Sequence, residues 1–338
     1  MKQKTLFDEE NRLELLSQLG DPLEILNRVI KWEKFRSVLN QGCRKEDTGK
    51  GGRPPYDVVM MFKILVLQRL YNLSDDHTEY QINDRMSFMR FLGINLCDKV
   101  PDAKTIWKFK NDLAETVDKL FCMFDEHLEK EGLISHKGTI VDATFVDAPR
   151  QRNSRDENKK IKNGEIPEEW EKPENKSKLA QKDIDADWTK KNGERHFGYK
   201  NHVKCDADSK LITNYSVTSA SVHDSQRCLV FIGQEDEVLY ADSAYSGKPI
   251  ALALPENCKN QICEKGYRNS PLTSEQKMNN RRKSRIRCRI EHIFGFMTGA
   301  MHGITIRSIG ITRAWMNIGI TNLVYNFCRY SYLKRASA

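Results

Sequence analysis

The sequence predicts a mixed α/β protein: a helical part over residues 1–135, then a domain of strands and helices over residues 136–338 that a polar insertion interrupts. Three observations carry this. Apolar residues recur at helical spacing up to about residue 135, and from residue 137 the spacing shortens to the period of two that marks strands. Residues 148–195 hold thirteen Lys or Arg against eleven Asp or Glu, with almost no aliphatic cluster. Such a stretch buries too little apolar surface to fold alone, so a flexible arm is expected there; Trp170, Trp188 and the basic residues Arg150, Arg152, Arg155, Lys159, Lys160 and Lys162 allow instead an arm that orders on a polyanion such as DNA.

Taken in order, Asp57 is placed to cap VVMMFKILVLQRLYN, and Asp75 or Asp76 to cap HTEYQINDRMSFMRFLG, which stops at Gly93. A third helical unit starts after Pro101 and stops at Gly132. Arg53, Lys104, Lys108 and Lys110 lie near these starts, an arrangement compatible with a helix-turn-helix DNA reader and equally with a bundle that packs or dimerises. GTIVDATFV, FGYKNHVKCDA and LITNYSVTSA read as three strands, the last two joined by a turn at Asp208 and Ser209. A helix from Asp224 to Ile232, with Asp224 as its N-cap, leads to a fourth strand, EVLYAD; NCKNQICE reads as a fifth, and a helical stretch containing RIRCRIEHIFGF follows.

Within this frame three acids stand out. Asp142 lies inside the first strand, Asp242 closes the fourth, and Glu291 sits on the last helical stretch beside the apolar stripe Ile286, Ile290, Ile293, Phe294 and Met297. A desolvated carboxylate must find a cation or take up a proton. Hard oxygen ligands of this kind suit Mg²⁺ or Mn²⁺, and two such ions sharing the acids could activate a nucleophile and steady a leaving oxygen. Arg287 precedes Glu291 by one helical turn, which by itself is also the spacing of an ordinary ion pair.

The order and separation of DATFVDAPRQRNSRDENKKIK, WTKKNGERHFGYKNHVKCDADSKLI, VTSASVHDSQ, YADSAYSG and RCRIEHIFG resemble the DDE transposases of bacterial insertion sequences, specifically the insertion sequence five group. The resemblance covers most of the chain. It implies an RNase H-like catalytic domain, with Asp142, Asp242 and Glu291 as catalytic and metal-binding acids for two Mg²⁺ or Mn²⁺ ions. It also implies a helical N-terminal part that engages transposon ends. Arg287 then contacts the scissile strand or positions Glu291. Related transposases often carry a wider Tyr, Arg, Glu, Lys pattern at the third acid; here Ser284 and Thr298 stand at the Tyr and Lys places, and neither is given a DNA-gripping role.

Before Glu291, Lys277, Arg281, Arg282, Lys283, Arg285, Arg287 and Arg289 follow one another with no acid between them. On a helix they cannot all face one way, so some are solvated; the run is expected to meet a phosphate backbone. Arg150 and Arg152 in the insertion, with Lys104 and Lys108 in the helical part, are further expected DNA contacts. Lys200 and His202 share one face of the second strand, toward the site or toward solvent, and with His223 they are candidates for supporting roles. Asp147, Asp206 and Asp208 read as strand-end or turn acids.

Bulk properties set outer bounds. The 338 residues allow two domains, and 55 Lys+Arg against 47 Asp+Glu give a net +8, a mild basic bias that permits nucleic-acid partners. No apolar run approaches the ~20 residues of a membrane span, and the start MKQKTLFDEE lacks a secretory core, so a cytoplasmic, nucleoid-associated protein is expected. Nine cysteines without a C-x-x-C pair support neither a disulfide framework nor a zinc site. No glycine-rich phosphate loop is present, so no nucleotide cofactor is expected. The expected partners are transposon-end inverted-repeat DNA and target DNA, bound by a homodimer or larger assembly because two ends are joined in one event. A nuclease that cuts without rejoining and a catalytically silent DNA-binding derivative are the alternatives; the presence of all three acids argues against the second.

Overall fold

The computed structural model describes residues 7–43, 54–191 and 193–336, so the expected DNA contact at Arg53 lies outside the described residues. The chain divides into two compact units, Met1–Met123 with Leu323–Ala338, and Phe124–Asn322. The sequence placed a boundary near residue 135 and left the chain's end with the strands; here the end of the last helix groups with the N-terminal helices.

In the first unit, Asp57 accepts the N–H groups of Val59 and Met60 and so starts α4 (Val58–Leu70), as expected from sequence. It follows α1 (Asp8–Gln18), α2 (Pro22–Val29) and α3 (Arg36–Gly42). The next helical stretch is two helices, α5 (Asp75–Asp84) and α6 (Met86–Leu92), because Arg85 between them is extended. The cap of α5 is Ser74, whose hydroxyl accepts the His77 N–H, while Asp75 and Asp76 fill the first turn. Gly93, at φ 74°, ends α6 in the left-handed region. The stretch after Pro101 is likewise two helices, α7 (Ala103–Asp112), capped by Asp102, and α8 (Val117–Lys130), whose end passes into the second unit. The core of the first unit is aromatic: Trp32, Phe35 and Phe62 pack on Phe327 with ring centroids 5.5, 5.7 and 6.4 Å away.

The second unit is built on a mixed sheet. Its strands are β1 (Thr139–Asp147), β2 (Asp187–Lys191), β3 (Glu194–Asp206), β4 (Ile212–Ser219), β5 (Val238–Tyr240) and β6 (Lys259–Asn260). The path is β4-β3-β1-β5-β6, antiparallel on the β3 side of β1 and parallel on the β5 side. That order and the mixed directions fit an RNase H-like fold. β2 pairs with the first half of β3, and β4 with the second half along the same edge. Gly198 stands at the changeover with φ 146°, where a Cβ would lie 2.3 Å from the Val146 carbonyl oxygen and 2.7 Å from the Ala148 nitrogen. Only glycine fits. Gly198→Ala is expected to destabilise the unit by roughly 2 kcal/mol through backbone strain, read as a drop in thermal midpoint; an unchanged midpoint would show that the β1–β3 pairing yields without cost.

The insertion is ordered, contrary to the flexible arm expected from its composition. It forms α9 (Arg155–Lys162), α10 (Glu168–Glu171) and α11 (Lys176–Ala180) and ends in β2. Ser154 and Glu157 make a reciprocal capping box at α9. Trp170 is fully buried, its indole N–H donates to Glu157, and the Lys178 and Lys182 ammoniums lie over its ring. One buried aromatic with cationic covers thus replaces the missing aliphatic core. Farther on, Asp183 accepts the Tyr199 hydroxyl, and Asp185 accepts the Ile311 N–H at the start of α16 (Ile311–Ala336).

The remaining helices are α12 (Ser225–Phe231), α13 (Lys248–Ala253), α14 (Ser274–Arg287) and α15 (Glu291–Thr298). Val141, Leu239 and Ala241 of the central strands pack with Cys228, Phe231, Tyr245 and Ile250 in one buried cluster. Asn201 on β3 and Asn322 on α16 exchange amide hydrogen bonds in the interior. No described helix is long and apolar enough to cross a membrane.

Asp125 on α8 offers a pH test. Its Oδ1 is buried without a hydrogen-bond partner, and burial, with the charges of Glu129 and Glu126, pushes its pKa up to about 7 despite Lys204. Unfolded, the group ionises near 3.9, so the folded state resists the charge and the contribution to stability falls as pH rises from about 4 to about 7. Asp125→Asn should gain over the wild type by about 1–2 kcal/mol more at about pH 8 than at about pH 5.5, measured by denaturant unfolding. A pH-independent difference would contradict the role given to burial.

Candidate active site

Alternation along β1 puts Asp142 on the face shared by Ile140 and Thr144, and Val141 on the face that packs against α12. Asp142 is 8% exposed. The parallel register Thr139↔Leu239 and Ile140↔Tyr240, continued two residues, sets Asp242 opposite Asp142 at the end of β5. Asp242 is the N-cap of the short 3-10 turn Ser243–Tyr245, where it accepts the Ala244 N–H at 2.7 Å. Glu291 opens α15 after a 3-10 turn, Cys288–Ile290, that interrupts the expected continuous helix, while Ile290, Ile293, Phe294 and Met297 bury the adjoining stripe.

Arg287 joins the first and third acids. Its Nη1 donates to Asp142 Oδ2 at 2.8 Å and lies 3.5 Å from Glu291 Oε1, so it is more than the i,i+4 pair that its spacing alone allowed. Its Nε is buried without a partner. Burial pushes Asp142 up to about 6; the Ala143 N–H and Arg287 pull it down, and the charges of Asp242 and Glu291 push it up again. The last two effects place Asp242 and Glu291 each within reach of Asp142. The Tyr245 hydroxyl, buried and unpartnered, is held from ionising first by burial and then by the charges of Asp142, Asp224 and Asp242. The sequence reading passed over this tyrosine, whose one signal was its place three residues after Asp242.

This donor set fits a divalent cation. Asp242 and Glu291 both act electrostatically on Asp142, although the three ligand atoms do not all lie within 4.8 Å of one another, and the buried Asp142 is the one for which ionisation without a cation costs most. A different cluster, His136, Glu235 and Asp236, has ligand atoms within 4.8 Å of one another, before the starts of β1 and β5. There Lys204 Nζ already lies 2.9 Å from Asp236 and 3.6 Å from Glu235 and supplies the positive charge.

The supporting candidates are not brought to the acids. Lys200 and His202 pair opposite Phe145 and Ala143, on the face of the sheet away from Asp142. The Lys200 ammonium donates to Asp224 and to the Val222 carbonyl, which occupies the carboxylate expected to cap α12. His202 is fully buried against the Thr218 hydroxyl, and burial pushes its pKa down to about 4, so the ring is neutral. His223 is exposed and bonded to Ser225.

The basic run is sorted by its contacts. Lys283 donates to the Ile262 carbonyl, Arg287 to Asp142, and Arg289 to Asp208 and the Ala207 carbonyl. Lys277, Arg281, Arg282 and Arg285 are exposed. Among the other expected DNA contacts, Arg150 lies exposed over the Trp188 ring, Arg152 and Lys104 are exposed, and Lys108 is paired with Asp112 at 3.6 Å. Ser284 approaches Cys263, and the Thr298 hydroxyl donates to the Phe294 carbonyl.

Residues 134–327 match a family model described as Transposase DDE domain, and residues 10–112 match one described as Transposase domain (DUF772). A solved cryo-EM structure, the piggyBac transposase synaptic complex with hairpin DNA, is similar at a TM-score of 0.45 and 12% identity, over 93% of this chain and 73% of that one.

Proposed function

The chain belongs to the DDE transposases, enzymes that depend on a divalent metal to cleave and transfer DNA, and from that membership we propose that it cuts the ends of an insertion sequence of the five group and joins them to target DNA. The observation that supports the reading is Arg287, which bonds Asp142 on β1 and reaches Glu291 on α15, with Asp242, just past the end of β5, close enough to act on Asp142 electrostatically.

In this reading Asp142, Asp242 and Glu291 hold two Mg²⁺ or Mn²⁺ ions, which when bound supply Lewis-acid activation of the attacking oxygen and charge stabilisation of the leaving one. The chain's own residues do the rest. Burial of Asp142 on a central strand fixes one ligand rigidly, and the cap bond from the Ala244 N–H orients the Asp242 carboxylate. Glu291, more than half exposed at its side chain, is the ligand with freedom to adjust as DNA enters. Arg287, held at the same acids, is placed to pass from Asp142 to a phosphate oxygen. Hydrolysis at a transposon end frees a 3′-hydroxyl, which then attacks target DNA in line. The protein works in the cytoplasm on nucleoid DNA. Joining two ends in one event requires a homodimer or larger assembly.

The test is incubation of the purified protein with flanking-end DNA, target DNA and Mg²⁺, followed by mapping of cut and joined strands. Cuts at the ends with joined product support the reading. Cuts without joining would leave a nuclease, and binding without cuts a silent DNA-binding protein.

A further inference from the structure

Not all of the cations before Glu291 are free to meet DNA; Lys277, Arg281, Arg282 and Arg285 are exposed, and three of these form one row. On α14, Lys277, Arg281 and Arg285 recur every four residues, so they share a face. All three are exposed, and none has a carboxylate partner among the described residues. They line an open groove of about 580 Å³ together with Asn280, Ser284 and Cys288. Lys283 and Arg287 point elsewhere, tied to Ile262, Glu264 and Asp142. A charge run that looked uniform in sequence is therefore divided between a face that builds the fold and a face that is left uncompensated.

We propose that this groove is a phosphate track: Lys277, Arg281 and Arg285 hold one DNA backbone along α14. The proposal rests on the transposase reading and adds to it which cations touch DNA and along which line. Eight residues of helix rise about 12 Å, the axial span of three to four phosphates of one strand at about 3.4 Å each. Asn280 exchanges hydrogen bonds with the Glu264 backbone and Ser284 approaches Cys263, so these residues anchor the helix and the three cations alone are left for phosphate oxygens.

Two measurements on the full-length protein test this, both in Ca²⁺ so that neither needs cleavage. The first compares the salt dependence of binding to random duplex DNA for the wild type, the triple variant Lys277→Ala, Arg281→Ala, Arg285→Ala, and the single variant Lys283→Ala. The log–log slope should flatten by about 2 to 3 in the triple variant, near 0.9 per lost phosphate contact, and stay unchanged in Lys283→Ala. The second uses duplex DNA carrying a disulfide-activated tether on a backbone phosphate, with the adduct located by mass spectrometry. It should form on Cys288, vanish in Cys288→Ser and weaken in the triple variant. An unchanged slope in the triple variant, an adduct on exposed Cys97 or Cys122 in place of Cys288, or displacement of DNA by polyglutamate as readily as by duplex would overturn the track. Cleavage in Mg²⁺ is scored separately on the wild type: its absence would count against the transposase reading, whereas cleavage with an unchanged slope would count against the track alone.

Discussion

Asp142→Asn, Asp242→Ala and Glu291→Gln are each expected to lower strand cleavage by about 10³-fold or more while end binding stays close to that of the wild type. Losing one of three carboxylates removes several kcal/mol of transition-state stabilisation, and none of the three contributes to DNA affinity as a cation would. The choice of Asn at Asp142 matters. That carboxyl is buried and its pKa is already raised to about 6, so a neutral isostere keeps the volume and removes the desolvation cost. A lost rate in that variant would then not be the result of unfolding. Glu291 is exposed, and Gln there leaves the packing of Ile293 and Phe294 untouched. Cleavage within tenfold of the wild type in any one variant would remove that residue from the site. Replacing Mg²⁺ with Ca²⁺ should leave a bound, uncut complex, because Ca²⁺ accepts looser and more numerous ligands.

Phe327→Ala should destabilise the helical unit by about 3–5 kcal/mol, the usual range for a buried phenylalanine truncated to alanine. Phe327 is fully buried, and Trp32, Phe35 and Phe62 each meet it edge-on, so its loss leaves a cavity as well as three broken ring contacts. Thermal unfolding of the full chain reads the effect, and a loss under about 1 kcal/mol would show that the cluster closes over the gap. The same packing bears on how the N-terminal helices are isolated. A fragment that stops near residue 135 omits Phe327 and exposes the rings that cover it. End-DNA binding by the helical part is therefore better assayed in the full chain.

Much of the fold was legible because its signals are local. Asp57 before an apolar helix, Gly93 after one, and the period of two in GTIVDATFV each act within a few residues. Errors arose where local chemistry is degenerate. Ser74, Asp75 and Asp76 are all good caps, and nothing near Arg85 announces a break. Asp224 does stand at the N-cap of α12 as expected, but Lys200, distant in sequence, takes its carboxylate, so the side chain makes no cap bond. The insertion misled because composition counts aliphatic residues, whereas here one tryptophan organises the segment. Of the proposed site, the three acids were singled out by their place on strand and helix together with the family resemblance. The bridge from Arg287 to Asp142 could not, since it joins residues 145 positions apart.

The parallel seam between β1 and β5 also sets an order of events during folding. It pairs Thr139 with Leu239, 239 − 139 = 100 residues apart, while β3 and β4 meet across a short turn. The hairpin can close early and the seam only after a long loop is gathered, a cost that grows with the logarithm of loop length. Removing the roughly 40 ordered residues of the insertion would ease that closure by only about half a kcal/mol. An insertion at this point is thus nearly free in kinetic terms. The proposed acids, by contrast, meet last: a nascent chain that has not yet reached residue 291 carries at most two of them, so on the proposed assignment a truncated product lacks the third ligand and should not cut DNA.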